Sequence, residues 1–125
     1  MDTVYTVAFS GDKFLMVFNK LRGGWEMPGG RIEKGETVRG AAIREFREEA
    51  GYSVNIIRTA FLGYCYVCAG EVLDKLDLNP EMRSKFFSSV PKKVSFDPAE
   101  YDEVIPWARS IVFGCGCSNK VVWKD

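Results

Sequence analysis

Histidine is absent from all 125 residues. Its absence excludes Ser-His and Cys-His nucleophilic machinery and His-ligated zinc, and it removes the commonest general base at neutral pH, so proton chemistry falls mainly to carboxylates. Net charge is absent too. Seventeen Lys and Arg balance seventeen Asp and Glu, without the broad basic footprint of a protein that binds double-stranded nucleic acid or coats a membrane. No apolar run approaches the roughly 20 residues a membrane helix needs, and Met1-Asp2-Thr3-Val4 lacks the basic start and apolar stretch of a secretory signal. The expectation is a cytoplasmic protein with a small-molecule partner. Internal repeats and low-complexity tracts are also missing. A chain of this length with 46% hydrophobic residues can bury its own core without disulfides, and we expect one domain over residues 1–125.

What is present reads as strands around one strong helix. Residues 4–9 and 14–19 are β-branched and aromatic runs separated by Ser10-Gly11-Asp12, the pattern of a hairpin. Leu21-Arg22-Gly23-Gly24 leads through Trp25-Glu26-Met27 to Pro28-Gly29-Gly30, where proline and glycine favour a shaped loop. The period then changes. Thr37 can cap a helix in which Val38, Ala42, Phe46 and Ala50 recur every four residues, and Gly51 follows as its stop. Further strands are expected at 53–61, 63–68, 85–94 and 103–107, with Pro91 marking an edge or bulge; polar residues 70–84 read as a long loop or short helical insert. This mixture predicts an α/β or α+β fold, a mixed sheet covered by helices.

On the expected helix, Glu45, Glu48 and Glu49 share one stripe while Ile43, Phe46 and Ala50 point toward another. Like charges at this spacing repel by roughly 0.2–0.5 kcal/mol per pair, which raises the question of a compensating cation such as Mg²⁺. An ordinary solvated Glu-rich face, with Arg44 paired to Glu48, is the plain alternative. The preceding loop favours the cation. Gly29 and Gly30 let backbone approach a ligand or metal, and Gly35 lets Glu36 fold back to pair with Arg44 and hold loop and helix in register.

Gly30, Glu36 seven-spaced from Arg44, and Arg44-Glu45-Phe46-Arg47-Glu48-Glu49-Ala50-Gly51-Tyr52 resemble the 23-residue signature of the Nudix hydrolase family over residues 30–52. A chance match is on the order of one in 10⁹ per window. Tyr52 departs from the pattern, standing where an aliphatic residue is usual. The flanking Trp25-Glu26-Met27-Pro28-Gly29-Gly30 resembles the small MutT-type nucleoside triphosphate pyrophosphohydrolases. The resemblance implies an α/β/α sandwich with a loop-helix-loop motif, in which Glu45, Glu48 and Glu49 hold divalent metal beside the Gly29 carbonyl.

Oxygen-only ligands suit Mg²⁺, with Mn²⁺ as a substitute. Glu45 or Glu48 would take the proton of the attacking water, Glu45 being favoured, with Arg44 and Glu36 bracing the motif. The resemblance also implies a distal acid, for which Glu103 fits and Glu100 is the reserve. Lys20, Arg22 and Gly30 are candidate substrate contacts, with the two cations reaching distal phosphates. Trp25, Phe87 or Trp107 could stack on a base, and Asn119 could read its edge.

The implied reaction converts a nucleoside triphosphate, an oxidised one included, to monophosphate and pyrophosphate. A pyrophosphatase of ADP-ribose or another nucleoside diphosphate derivative is the alternative within the class. A catalytically silent nucleotide sensor is the alternative outside it. A homodimer is left open. Cys65, Cys68, Cys115 and Cys117 could supply four thiolates, but residues i and i+3 of a strand point to opposite faces, so reduced thiols are expected.

Overall fold

The structure, a computed structural model, describes residues 2–114. Its first two strands, Thr3–Ser10 (β1) and Lys13–Asn19 (β2), form the expected hairpin but pair only at Phe9↔Phe14 and Ser10↔Lys13. They then splay. The segment carrying Gly24–Glu26 (β3) and Gly29–Arg31 (β4) fills the notch: β3 pairs with β2, β4 pairs with β1, and Thr6 N–H donates to the Pro28 carbonyl. The glycine-rich stretch thus contributes two short strands as well as a loop. Gly29 is required by crowding, because a Cβ there would collide with the Val4 carbonyl and Tyr5.

Tyr52–Phe61 (β5), Tyr66–Lys75 (β6) and Arg83–Phe87 (β7) complete a mixed seven-stranded sheet. Its main path runs β3-β2-β1-β6-β5, β7 joins β2, and β1–β6 is the parallel pairing. The period of two decides which face each side chain enters. Val4, Ala8, Leu15 and Val17 point to one face, where they meet Ala41, Ala42, Phe46 and Ala50 of the helix Val38–Ala50 (α1). Val7, Phe9, Phe14 and Met16 point to the other, where they meet Tyr101, Val104, Ile105 and Ala108 of the helix Ala99–Phe113 (α2). The result is the expected α/β/α sandwich.

α1 matches its sequence signals at both ends. Thr37 is extended at φ −81° and accepts from Gly40 N–H at 3.0 Å, and Gly51 closes the helix at φ 77° with its N–H on the Arg47 carbonyl. Ile43, expected to face inward, is 37% exposed; Ala41 occupies that side instead. Tyr52 covers a core edge, its ring meeting Phe86 edge-on at 5.8 Å.

Three expectations need correction. Residues 70–84 are not mainly a loop, because β6 continues to Lys75 and its polar residues face solvent while the backbone pairs with β5. Residues 85–94 do not form one strand: β7 ends at Phe87, and Val94 makes an isolated bridge to Trp25. Residues 103–107 are helical. Tyr101, Val104, Ile105 and Ala108 follow i, i+3, i+4, i+7, and Pro106 lies on the exposed side of α2.

Candidate active site

Arg44 is the centre of the motif. Its guanidinium grips Glu36 with two bonds, at 2.7 and 2.9 Å, and reaches the Arg31 carbonyl at 3.0 Å. Weaker contacts at 3.3 and 3.2 Å hold Glu45 and Glu48. Glu36 also accepts from Glu33 N–H at 2.9 Å. One planar cation therefore joins β4, the following turn and α1, as the Glu36–Arg44 expectation required.

The neighbouring glycines set how close backbone and carboxylates come. Glu49 accepts from Gly29 N–H at 3.0 Å. Gly30 faces the Glu45 carboxylate so tightly that a Cβ would overlap it. The segment after β6 docks on the end of α1 through Glu81 N–H to the Glu48 carbonyl at 2.9 Å and Met82 N–H to the Glu49 carbonyl at 3.1 Å. Glu81 thereby joins the acidic group, an addition with no signal in the sequence.

Electrostatics follow from this packing. The Arg44 guanidinium, helped by the Glu33 N–H, holds Glu36 down to about 2. Burial pushes the Glu49 carboxyl up to about 7 against the pull of Gly29 N–H, with Glu45, Glu26 and Glu81 adding repulsion. Burial also raises Glu45, partly opposed by Arg44.

Among the described residues, no three acidic or thiol groups converge on one point as they stand. Glu45 and Glu48 lean on Arg44, and Glu49 leans on Gly29. The donor chemistry nevertheless fits a hard divalent cation: a partly buried carboxylate among other carboxylates, with oxygen donors alone. Glu45, Glu48 and Glu49 are the groups that could hold it.

Beside this group opens a cleft of about 570 Å³, walled by β1, β3, β4 and the start of α2. Gly29, Gly30, Glu26 and Arg22 line the end nearest α1, and Tyr64, Phe96, Glu100 and Tyr101 line another part of the wall. Arg22 pairs with the buried Glu26 at 2.7 Å and lies over the Phe96 ring, 5.1 Å from its centroid. Lys20 is exposed and does not line the cleft. Glu103 is exposed on α2 and also stands outside it; Glu100, nearly one turn earlier, is in the wall.

The proposed stacking rings are elsewhere. Trp107 is core, and Trp25 packs edge-on against Phe18 and Phe87. Cys65 and Cys68 are free and buried, Cys65 in the cleft wall and Cys68 in the core beneath α1. Cys115, Cys117 and Asn119 lie outside the described residues.

Glu26 escaped notice because one acid between Trp25 and Met27 carries no motif. Tyr5, Tyr64 and Phe96 read as ordinary strand or loop aromatics until the fold gathers them.

Comparison with known proteins gives three findings. The family model for the NUDIX domain matches residues 1–109. An uncharacterised Nudix hydrolase of Bacillus subtilis is 51% identical over 45 residues, 35% of this chain and 28% of that protein. A second Bacillus subtilis protein, named as a candidate 8-oxo-dGTP diphosphatase, is 52% identical over 29 residues, 23% of this chain and 20% of that one. The chain thus spans less than a third of the length of these curated relatives. The crystal structure of a Bacillus subtilis pyrophosphohydrolase superposes with a TM-score of 0.69 at 22% identity, over 94% of this chain and 84% of that one. No described helix is long and apolar enough to cross a membrane.

Proposed function

The chain belongs to the NUDIX domain family, and from that premise we propose that it is a Mg²⁺-dependent hydrolase cleaving a diphosphate linkage in a nucleotide. The proposed substrate is a nucleoside triphosphate, ordinary or oxidised, split to monophosphate and pyrophosphate in the cytoplasm. The observation that carries this reading is the acidic stripe of α1, braced by Arg44–Glu36 and Gly29 at the edge of a nucleotide-sized cleft. The name of one relative, a candidate 8-oxo-dGTP diphosphatase, supports the choice of a triphosphate.

Bound through Glu45, Glu48 and Glu49, Mg²⁺ or Mn²⁺ would neutralise phosphate charge and activate water. The chain's own groups do the rest. Glu45 is the base we assign, because burial makes its carboxylate a better proton acceptor and Gly30 brings it against the loop backbone. It takes the proton of the attacking water as the water oxygen bonds to phosphorus and the bridging oxygen leaves. Glu48, 42% exposed by side chain against 14% for Glu45, is the weaker base candidate. Arg44 and Glu36 act by positioning. Arg22, already in the cleft wall, can exchange Glu26 for a phosphate oxygen.

The test is Mg²⁺-dependent turnover across nucleoside triphosphates, oxidised triphosphates, ADP-ribose, dinucleoside polyphosphates and NADH, with products resolved. Triphosphates should give monophosphate and pyrophosphate. Glu49→Gln should lower turnover at least about tenfold while the protein stays folded. Unchanged turnover at saturating Mg²⁺ would remove Glu49 from the site, and preferred cleavage of ADP-ribose would change the substrate but keep the reaction.

A further inference from the structure

β7 stands at an open edge of the sheet. Its five residues pair with β2 alone, from Phe14↔Phe87 to Phe18↔Arg83, in one unbroken antiparallel register. The outer row of its backbone N–H and C=O groups finds no partner among the described residues. The opposite edge of the sheet is protected. β5 carries two register irregularities, and its Ile56 carbonyl accepts from the Arg39 guanidinium. Bulges and covering side chains are common ways to blunt an exposed edge. Among the described residues β7 has neither, and none of its five residues lines the cleft.

Charge decides what such an edge accepts. Arg83, Lys85 and Phe87 share the face of the sheet that α2 covers, since they pair with Phe18, Met16 and Phe14. Neither cation has an acidic partner among the described residues, where the ion pairs belong to Arg22 and Arg44. Edge lysines commonly guard a strand by standing over its open side. Here aromatic rings hold both cations on the sheet face. Arg83 lies over Phe18 of β2 and Trp25 of β3, 5.0 and 5.4 Å from their centroids, and Lys85 lies over Phe87 at 5.5 Å. On the other face Phe86 is half-buried, its ring against Tyr52. From Met82 to Phe96 the chain holds Arg83, Lys85, Lys92 and Lys93 and no acid, although the whole chain is neutral.

These features select a partner. Donors and acceptors that alternate along an open strand are matched by another extended polypeptide. Phosphate oxygens accept and do not donate, so a nucleic-acid backbone matches the N–H groups and not the carbonyls. A second copy of β7 is disfavoured, because antiparallel pairing about the central Lys85 sets two Lys85 side chains opposite each other, and like charges across a pair destabilise. We propose that β7 is a docking edge for an extended acidic segment of another protein. The segment adds a strand to the sheet, with acidic side chains at alternate positions beside Arg83 and Lys85 and an apolar one beside Phe86.

The probe is a fluorescent peptide of about seven residues alternating glutamate and valine, which spans β7 with a residue to spare at each end. Fluorescence anisotropy should show saturable binding to the wild-type protein. The counterpart with lysine in place of glutamate should not bind. A form N-methylated at every residue keeps its charge and loses its N–H donors, and it should bind at least about tenfold more weakly. The double variant Arg83→Gln with Lys85→Gln should lose at least about tenfold in affinity for the acidic peptide. Bound peptide should also slow hydrogen exchange of the β7 amides. Thermal melts monitor folding of the variant.

Equal binding of the acidic peptide and its N-methylated form would overturn the proposal, because charge alone would then hold the peptide. Absence of saturable binding, or unchanged affinity in the folded double variant, would overturn it too. So would a single-stranded oligonucleotide that binds β7 in preference to the peptide, or a dimer in sedimentation that the peptide does not disrupt and that pairs through β7. If the double variant does not fold, the N-methylated peptide and the exchange of the β7 amides decide on the wild-type protein. None of these readouts depends on turnover, so the hydrolase reading stands or falls separately.

Discussion

The Glu36–Arg44 pair shows what a single residue contributes to this fold. Two short bonds on Glu36 and one on the Arg31 carbonyl connect a turn to a helix that repulsion among Glu45, Glu48 and Glu49 would otherwise weaken. The effect on acid stability has a definite sign. Glu36 falls from 4.5 to about 2 on folding, so its contribution is complete above the unfolded value and is lost as pH falls from about 4.5 toward 2. Thermal melts between pH 5.5 and 2.5 should therefore decline less steeply for Glu36→Gln than for wild type. Arg44→Ala should lower the melting temperature at neutral pH as well, because Glu45 and Glu48 lose their one shared cation. Parallel acid profiles for wild type and Glu36→Gln would show that the pair adds nothing on folding.

At the scale of elements, the two helices were unequally legible. α1 declares itself through a capping threonine, a four-residue apolar repeat and a terminal glycine, and each signal is local. α2 hides because Val104-Ile105-Pro106-Trp107 combines strand formers with a helix breaker. Tertiary burial overrides that preference: Tyr101, Val104, Ile105 and Ala108 cover one face of the sheet. Pro106 is the residual conflict inside the helix. An interior proline costs about 3 kcal/mol relative to alanine, while its restriction of the unfolded chain returns about 0.4–1 kcal/mol. Because Pro106 is exposed, Pro106→Ala should raise stability by roughly 1–2 kcal/mol, measured by chemical denaturation. A less stable Pro106→Ala would mean that the proline helps to seat Tyr101 and Ile105 against the sheet.

At the scale of the whole molecule, the candidate site is one local motif meeting several distant residues. Glu45, Glu48, Glu49, Arg44 and Glu36 were readable because their spacing on one helix and one turn expresses their geometry directly. Tyr5 and Glu100 are 95 positions apart and meet only once β1 and α2 occupy their places; no spacing announces such a pair. Glu81 reaches the acidic stripe in the same way, through the docking of residues 81 and 82 on α1. This crowding of carboxylates is a load on the folded state. A partly buried Glu49, surrounded by Glu45, Glu26 and Glu81, destabilises the native arrangement more than the unfolded chain, where the same charges are separate and solvated. A cation that binds only the native arrangement would reverse that repulsion and stabilise by mass action, about 2.7 kcal/mol at a hundredfold excess over Kd. Mg²⁺ should therefore raise the melting temperature in a saturable way, chelator should return it, and Glu49→Gln should start from a higher baseline and respond less. An equal Mg²⁺ response in wild type and Glu49→Gln would place the cation elsewhere on the surface.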